Sequence, residues 1–183
     1  AKAADREDDV TQPAAHGALH GKPIIDAVKR AGVDYVLSVP DIHTSRGLLY
    51  PIAADPDFNL VRVCKEDECF GISAGLTYGN KRALILLQYT GFLYAMNAIR
   101  AIGCEYRFPT VMMIGMLGME EGRAPRESSK FGLKIIEPIL ETMEIPYETI
   151  YSDADVERIA PAIEHAYTHS HPAAFVIAGR PSA

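Results

Sequence analysis

The sequence predicts an α/β fold: a three-layer α/β/α arrangement around a six-stranded parallel sheet. Three observations lead there. Short, wholly apolar runs such as residues 83–87 show no polar alternation, as strands buried on both faces require. Segments of helical period separate those runs, so strands and helices alternate, the pattern of a parallel sheet with crossover helices. The chain has 183 residues, 48% of them hydrophobic, enough to cover such a sheet with a sizeable core. No internal repeat or linker composition interrupts residues 21–183, which are expected to form a single domain. Residues 1–20, polar and acidic, are expected to be a flexible tail rather than a leader peptide. His16 and His20 fall in that tail and receive no role.

The first helix is expected over 21–31. Pro23 suits its first turn, Ile24, Ile25, Val28 and Ala31 form its apolar stripe, and Gly32 ends it in the left-handed conformation. A strand over 35–39 follows. The loop 40–44, Pro-Asp-Ile-His-Thr, leaves its carboxyl end, where open α/β sheets build binding sites. A helix over 45–54 and a strand over 59–63 come next. Glu66, Asp67 and Glu68 open the third helix, where the positive end of the helix dipole favours them. That helix carries Gly71, Gly75 and Gly79 on one face. Each glycine costs about 1 kcal/mol against Ala, so another backbone is expected to press on this face.

After the strand 83–87, Thr90 and Gly91 are expected to turn the chain sharply into a helix over 92–102, with Ala95, Ile99 and Ile102 toward the sheet. The apolar stretch within 107–116 holds the next strand. The loop 117–129, with Gly118, Gly122, Pro125 and mixed charge, has the length of a functional or mobile loop. A helix over 132–143, a strand over 146–150, a helix over 156–168 capped by Asp153 and a strand over 173–178 complete the order.

The net charge of −6 and the scattered basic residues argue against nucleic acid as a partner. No apolar run approaches the roughly 20 residues that span a bilayer. Cys64, Cys69 and Cys104 read as reduced structural thiols of a cytoplasmic protein. Cys64 and Cys69 have the spacing of a metal pair, but no His or third Cys lies at ligand spacing, so no metal site is assigned.

One run organises the rest. Glu66 is followed nine residues later by Gly75, which closes Ser-Ala-Gly; the buried strand ends in Gln88-Tyr-Thr-Gly91; Asn97 lies six residues past that glycine. This combination resembles the pyrimidine-binding domain of thiamine-diphosphate-dependent decarboxylases. Within them it is similar to the separate alpha subunit of sulfopyruvate decarboxylase and to phosphonopyruvate decarboxylase. The resemblance covers about residues 22–180. It departs at Tyr89, where those relatives have Asn, and at Phe92-Leu93-Tyr94, where they have Leu-Gly-Asn, which implies a bulkier pocket wall.

The resemblance implies the strand order 2-1-3-4-6-5, thiamine diphosphate as cofactor and decarboxylation of a 2-oxo acid as the reaction. In that family one Glu hydrogen-bonds N1′ of the cofactor's aminopyrimidine and favours its imino tautomer; Glu66 matches this residue by position. Gln88, Thr90 and Gly91 would line the pyrimidine, and Asn97 would face the cofactor or a partner. Asp41 and His43 fall where relatives place substrate-pocket groups, with His43 a candidate proton shuttle. Each has a plainer reading: acids decorating a helix terminus, a strand-to-helix turn, an Asp capping the 45–54 helix beside a solvent-facing His. Glu68 competes with Glu66 but lacks the nine-residue spacing. Arg46, Arg107, Arg123 and Arg126 are candidate anchors for a sulfonate or phosphonate tail.

The Gly-Asp-Gly and following Asn with which the other half of these enzymes holds Mg²⁺ and diphosphate are absent. The resemblance therefore implies a beta subunit that supplies both, in a hetero-oligomer. The glycine stripe, Phe92 and Tyr94 are candidate contact surfaces. A carboligase of the same family, a non-catalytic pyrimidine-domain module and an unrelated flavodoxin-like domain stand as alternatives. The last is weakened because no strand-following loop forms a Gly-rich phosphate cradle.

Overall fold

The computed structural model describes residues 17–183. Six strands, β1 (Tyr35–Ser38), β2 (Asn59–Arg62), β3 (Ala83–Gln88), β4 (Val111–Gly115), β5 (Tyr147–Ile150) and β6 (Ala173–Ile177), form one sheet. All are parallel, in the order β2-β1-β3-β4-β6-β5, as the resemblance implies.

The helices are α1 (Gly21–Arg30), α2 (Tyr50–Ala54, entered through a π-helical turn Ser45–Leu49), α3 (Glu66–Tyr78), α4 (Tyr89–Tyr94), α5 (Met96–Ala98, continued by a π-helical segment Ile99–Glu105), α6 (Phe131–Lys134), α7 (Ile136–Thr142) and α8 (Ile159–His169).

The apolar strands split their side chains between two cores, as the two-residue strand period demands. Leu84, Leu86, Met113 and Phe175 pack with Ile24 and Val28 of α1, Ile52 of α2 and Ile163 of α8. On the other face Ile85, Leu87, Ile114 and Val176 pack with Phe70 of α3, Phe92 of α4, Ile99 and Leu140 of α7. Each fully buried Leu, Ile or Phe contributes roughly 1.5–3 kcal/mol. The parallel arrangement brings the loops after every strand to one end of the sheet. The strand order reverses twice there, between β1 and β3 and between β4 and β6, the positions where open sheets leave crevices.

Several expectations are corrected. The fourth helix begins at Tyr89, so Thr90 and Gly91 lie in its first turn and make no sharp turn before it. Ser152 and Asp155 cap the segment leading into α8: the Asp155 carboxylate accepts the backbone N–H of Tyr151 and Ser152 at 2.9 and 3.0 Å. Asp153 instead holds His20, accepting its backbone N–H at 2.8 Å and meeting its Nδ1 at 2.6 Å. Together with the burial of Leu19, this packs residues 19 and 20 onto the domain, ahead of the expected boundary; His16 lies outside the described residues. Pro138 is the third residue of α7, where its missing N–H costs no hydrogen bond.

Among the described residues no backbone presses on the glycine stripe. Cβ atoms on Gly71 and Gly75 would meet nothing within 4 Å, and Gly79 ends the helix. Phe92 is fully buried and belongs to the core, not to a contact surface, whereas Tyr94 is exposed. Gly32, at φ +69°, closes α1 as the sequence predicts.

Candidate active site

The three acids at the start of α3 have separate fates. Glu68 reaches back and accepts the backbone N–H of Cys64 and Lys65 at 3.0 and 3.2 Å, satisfying donors that the helix start leaves open. Asp67 carries a buried Oδ1 without a hydrogen-bond partner among the described residues. Glu66 is half-buried and lies across the first turn of α4. A Cβ on Gly91 would stand 2.5 Å from Glu66 Cγ and 2.7 Å from its Oε1. Only a glycine admits this packing. The Glu66 carboxylate has no hydrogen-bond or ion-pair partner among the described residues, so its lone pairs are free for a ligand. Burial, and then the nearby charge of Glu66, push the Cys69 thiol up to about 12, which makes it inert.

Gln88, the last residue of β3, donates from Nε2 to Thr90 Oγ1 at 2.9 Å and holds that hydroxyl beside the same helix start. Asn97 is exposed, and Arg100 donates to its side-chain oxygen at 3.0 and 3.2 Å. Tyr89, the first departure from the resemblance, packs its ring where a Cβ on Gly132 would fall, 2.8 Å away.

Asp41 and His43 close the other side of the sheet's carboxyl end. Asp41 Oδ1 accepts the backbone N–H of His43 and of Thr44, the latter at 2.9 Å, and Oδ2 accepts the Thr44 hydroxyl. It caps the turn into Ser45–Leu49. His43 is buried rather than solvent-facing. Its Nε2 stands 3.0 Å from the carbonyl oxygen of Ile177 and 3.1 Å from that of Gly179. Two acceptors at one nitrogen assign the Nε2–H tautomer, with the proton donated to the end of β6. Burial lowers the proton affinity of His43 below the usual imidazole range, although Asp41 opposes the shift. The ring and Thr44 pack against Gly115 at the end of β4, where a Cβ would lie 3.0 Å from Thr44 Cγ2.

His43 forms part of a cavity of about 470 Å³ at the carboxyl ends of β4 and β6. Glu120, Arg123, Tyr151 and Arg180 line it too. The loop carrying Arg123 is tied to itself. The Glu120 carboxylate accepts the hydroxyls of Ser128 and Ser129 at 2.7 and 2.5 Å and is drawn down to about 2, and Lys130 donates to the Gly118 carbonyl.

The candidate anchors separate clearly. Arg126 pairs with Glu137 and Glu141. Arg107 precedes β4, at the opposite end of the sheet. Arg46 lines a neighbouring cavity that it shares with Arg180. Arg180 escaped the sequence reading; its position three residues past the end of β6, after Gly179, was the available signal. Among the described residues no three His, Cys, Asp or Glu side chains come together as metal ligands, and no helix is long and apolar enough to cross a membrane.

No family model matches the chain. It is 32% identical over 128 residues to sulfopyruvate decarboxylase subunit alpha of Methanothermobacter thermautotrophicus, covering 70% of this chain and 76% of that one. The subunit of the same name from Methanocaldococcus jannaschii is 29% identical over 154 residues, 84% of this chain and 89% of the relative. That from Methanococcus maripaludis is 30% identical over 126 residues, 68% and 72% of the two chains. Among solved structures, benzoylformate decarboxylase from Polynucleobacter necessarius superposes with a TM-score of 0.62 at 16% identity. The match takes in 87% of this chain but 29% of that longer one, and it shows a shared fold.

Proposed function

The chain belongs to the family of sulfopyruvate decarboxylase alpha subunits, and from that premise we propose that it is the subunit of a thiamine-diphosphate-dependent decarboxylase that presents Glu66 to the cofactor's aminopyrimidine. One observation carries this reading. Of the acids at the start of α3, Glu66 alone is folded over Gly91 with its carboxylate unspent, while Glu68 is consumed as a cap. A helix merely decorated with acids gives no reason for residue 91 to lack a Cβ.

The residues present fit the cofactor's pyrimidine. Glu66 would hold the ring nitrogen through its free carboxylate, for which Gly91 leaves room, and Gln88 with Thr90 would line the adjacent wall. Asn97, at the exposed surface of α5, belongs to the side that faces cofactor or partner. When bound, thiamine diphosphate supplies the electron sink that lets a 2-oxo acid lose carbon dioxide. Glu66 would share a proton with the aminopyrimidine; Asp41 and His43 fix the 40–44 loop, which would border the substrate, with the His43 Nε2–H anchored on the end of β6. The substrate class is a 2-oxo acid with an anionic tail.

The partner in this reading is a beta subunit that binds Mg²⁺ and the diphosphate, so the active site lies between two chains. The exposed face of Gly71 and Gly75 and the exposed Tyr94 are the surfaces offered to it. The three free thiols favour a cytoplasmic setting, and residues 19–183 act as one pyrimidine-binding domain.

The test is a titration of thiamine diphosphate and Mg²⁺ into the chain alone and into the chain assembled with its partner subunit. Saturable binding and decarboxylation only in the assembly are expected. Tight binding by the isolated chain would overturn the split site, and binding in neither would leave a non-catalytic module.

A further inference from the structure

We infer that Arg180, with Arg123 on the same cavity, holds the acidic tail of the substrate, the group at the end opposite the 2-oxo carboxylate. This inference rests on the decarboxylase reading above and extends it to the residues that select the substrate.

The cavity has the right place and size. It opens where the strand order reverses between β4 and β6, and its volume of about 470 Å³ suits a small ligand. Its side chains arrive from separate elements: His43 from the loop after β1, Arg123 from the loop after β4, Arg180 from the segment after β6.

Arg123 and Arg180 are the two arginines that line this cavity, and their charges are not spent within the described residues. Arg82, Arg100, Arg126 and Arg158 are each paired with carboxylates. Arg123 and Arg180 have no carboxylate partner among the described residues, although Glu120 and Glu121 line the same cavity. The Glu120 oxygens are turned to Ser128 and Ser129 and are satisfied there. Glu121 is exposed and makes no ion pair among the described residues. Two forks without an internal anion therefore border one concave space, and a guanidinium fork matches the oxygens of a sulfonate, phosphonate or carboxylate.

His43 fits the same picture. Its ring lies within the influence of the Arg180 charge, and with burial that charge helps keep the imidazole neutral. A neutral ring leaves the two arginines as the cations of the cavity. By anchoring on the carbonyls of Ile177 and Gly179, His43 also holds in place the backbone from which Arg180 projects.

The experiment uses the chain assembled with its partner subunit, thiamine diphosphate and Mg²⁺. It compares kcat/KM for sulfopyruvate and for pyruvate, which lacks the sulfonate. Arg180→Gln and Arg123→Gln are each expected to lower the sulfopyruvate-to-pyruvate ratio by roughly 10- to 100-fold, mainly through KM, as loss of a charged hydrogen bond does. Arg180→Lys should recover part of that ratio. A ratio unchanged in both Gln variants would overturn the subsite.

Should the assembly turn over no 2-oxo acid, the decarboxylase reading fails and the subsite is judged separately. The full chain is then titrated with 3-sulfopropionate while the Arg side-chain Nε resonances are followed. Saturable shifts at Arg123 and Arg180 support the site, and unmoved resonances reject it.

Discussion

Replacing Gly91 with Ala tests how tightly the Glu66 carboxylate is placed. The added Cβ would lie 2.5 Å from Glu66 Cγ and 2.8 Å from Cδ. Carbon atoms pack at about 3.5–4.0 Å, so the Glu66 side chain must withdraw by about 1 Å. The cost to the fold is modest. Ala gains about 1 kcal/mol over Gly in a helix, and a tight extra methyl costs roughly 1–3 kcal/mol. The net change is at most about 2 kcal/mol, a shift of several degrees or less in Tm. Function should suffer far more, because a displacement of about 1 Å at a reacting group costs on the order of 100-fold in rate. The assay is kcat of the assembled enzyme for a 2-oxo acid, with a thermal melt of the same preparation. A double variant carrying Glu66→Gln as well should be no worse than Glu66→Gln alone, since both changes act through one carboxylate. Parent-like turnover by Gly91→Ala, or losses that simply add in the double variant, would refute the reasoning.

Two further predictions concern stability. Burial makes His43 take up a proton less readily in the fold than in the unfolded chain, where its ordinary value is 6.5, so its contribution to stability is present above that value and is lost as pH falls below it. Stability should fall as pH drops through that point, and His43→Gln should flatten this slope in melts recorded from about pH 8 to pH 5; an unchanged slope would count against the buried neutral ring. Phe92→Ala should cost about 3–5 kcal/mol, while Tyr94→Ala should leave Tm almost unmoved, and chemical denaturation separates the core residue from the exposed one.

Periodicity recovered β3, β4 and β6 because strands buried on both faces carry unbroken apolar runs, whereas the edge strands β2 and β5, Asn-Leu-Val-Arg and Tyr-Glu-Thr-Ile, are only partly buried and were legible by their place between helices. The strand order was not in the periodicity; it came through the resemblance. Spacing separated Glu66 from Glu68, and the structure supplies a local difference between them: one carboxylate closes the helix start, the other is free. What stayed hidden depended on contacts between distant residues. Gly91 looked like a turn glycine, yet its φ is not positive and its lack of a Cβ serves a side chain 25 positions earlier. Asp153 and Ser152 are both good cap residues by type, and the fold gives the cap to Ser152 with Asp155 while Asp153 holds the distant His20. Arg180 and Arg123 are 57 positions apart, and only the folded sheet brings them to one cavity.

Glu66→Gln in the assembled enzyme is the most direct measurement. The amide keeps the size and packing over Gly91 but cannot take up or release a proton in the working range. The account predicts that kcat falls by about 10²- to 10⁴-fold, with Tm and the circular dichroism spectrum retained. Turnover at the parent rate by a folded, cofactor-loaded Glu66→Gln assembly would contradict it.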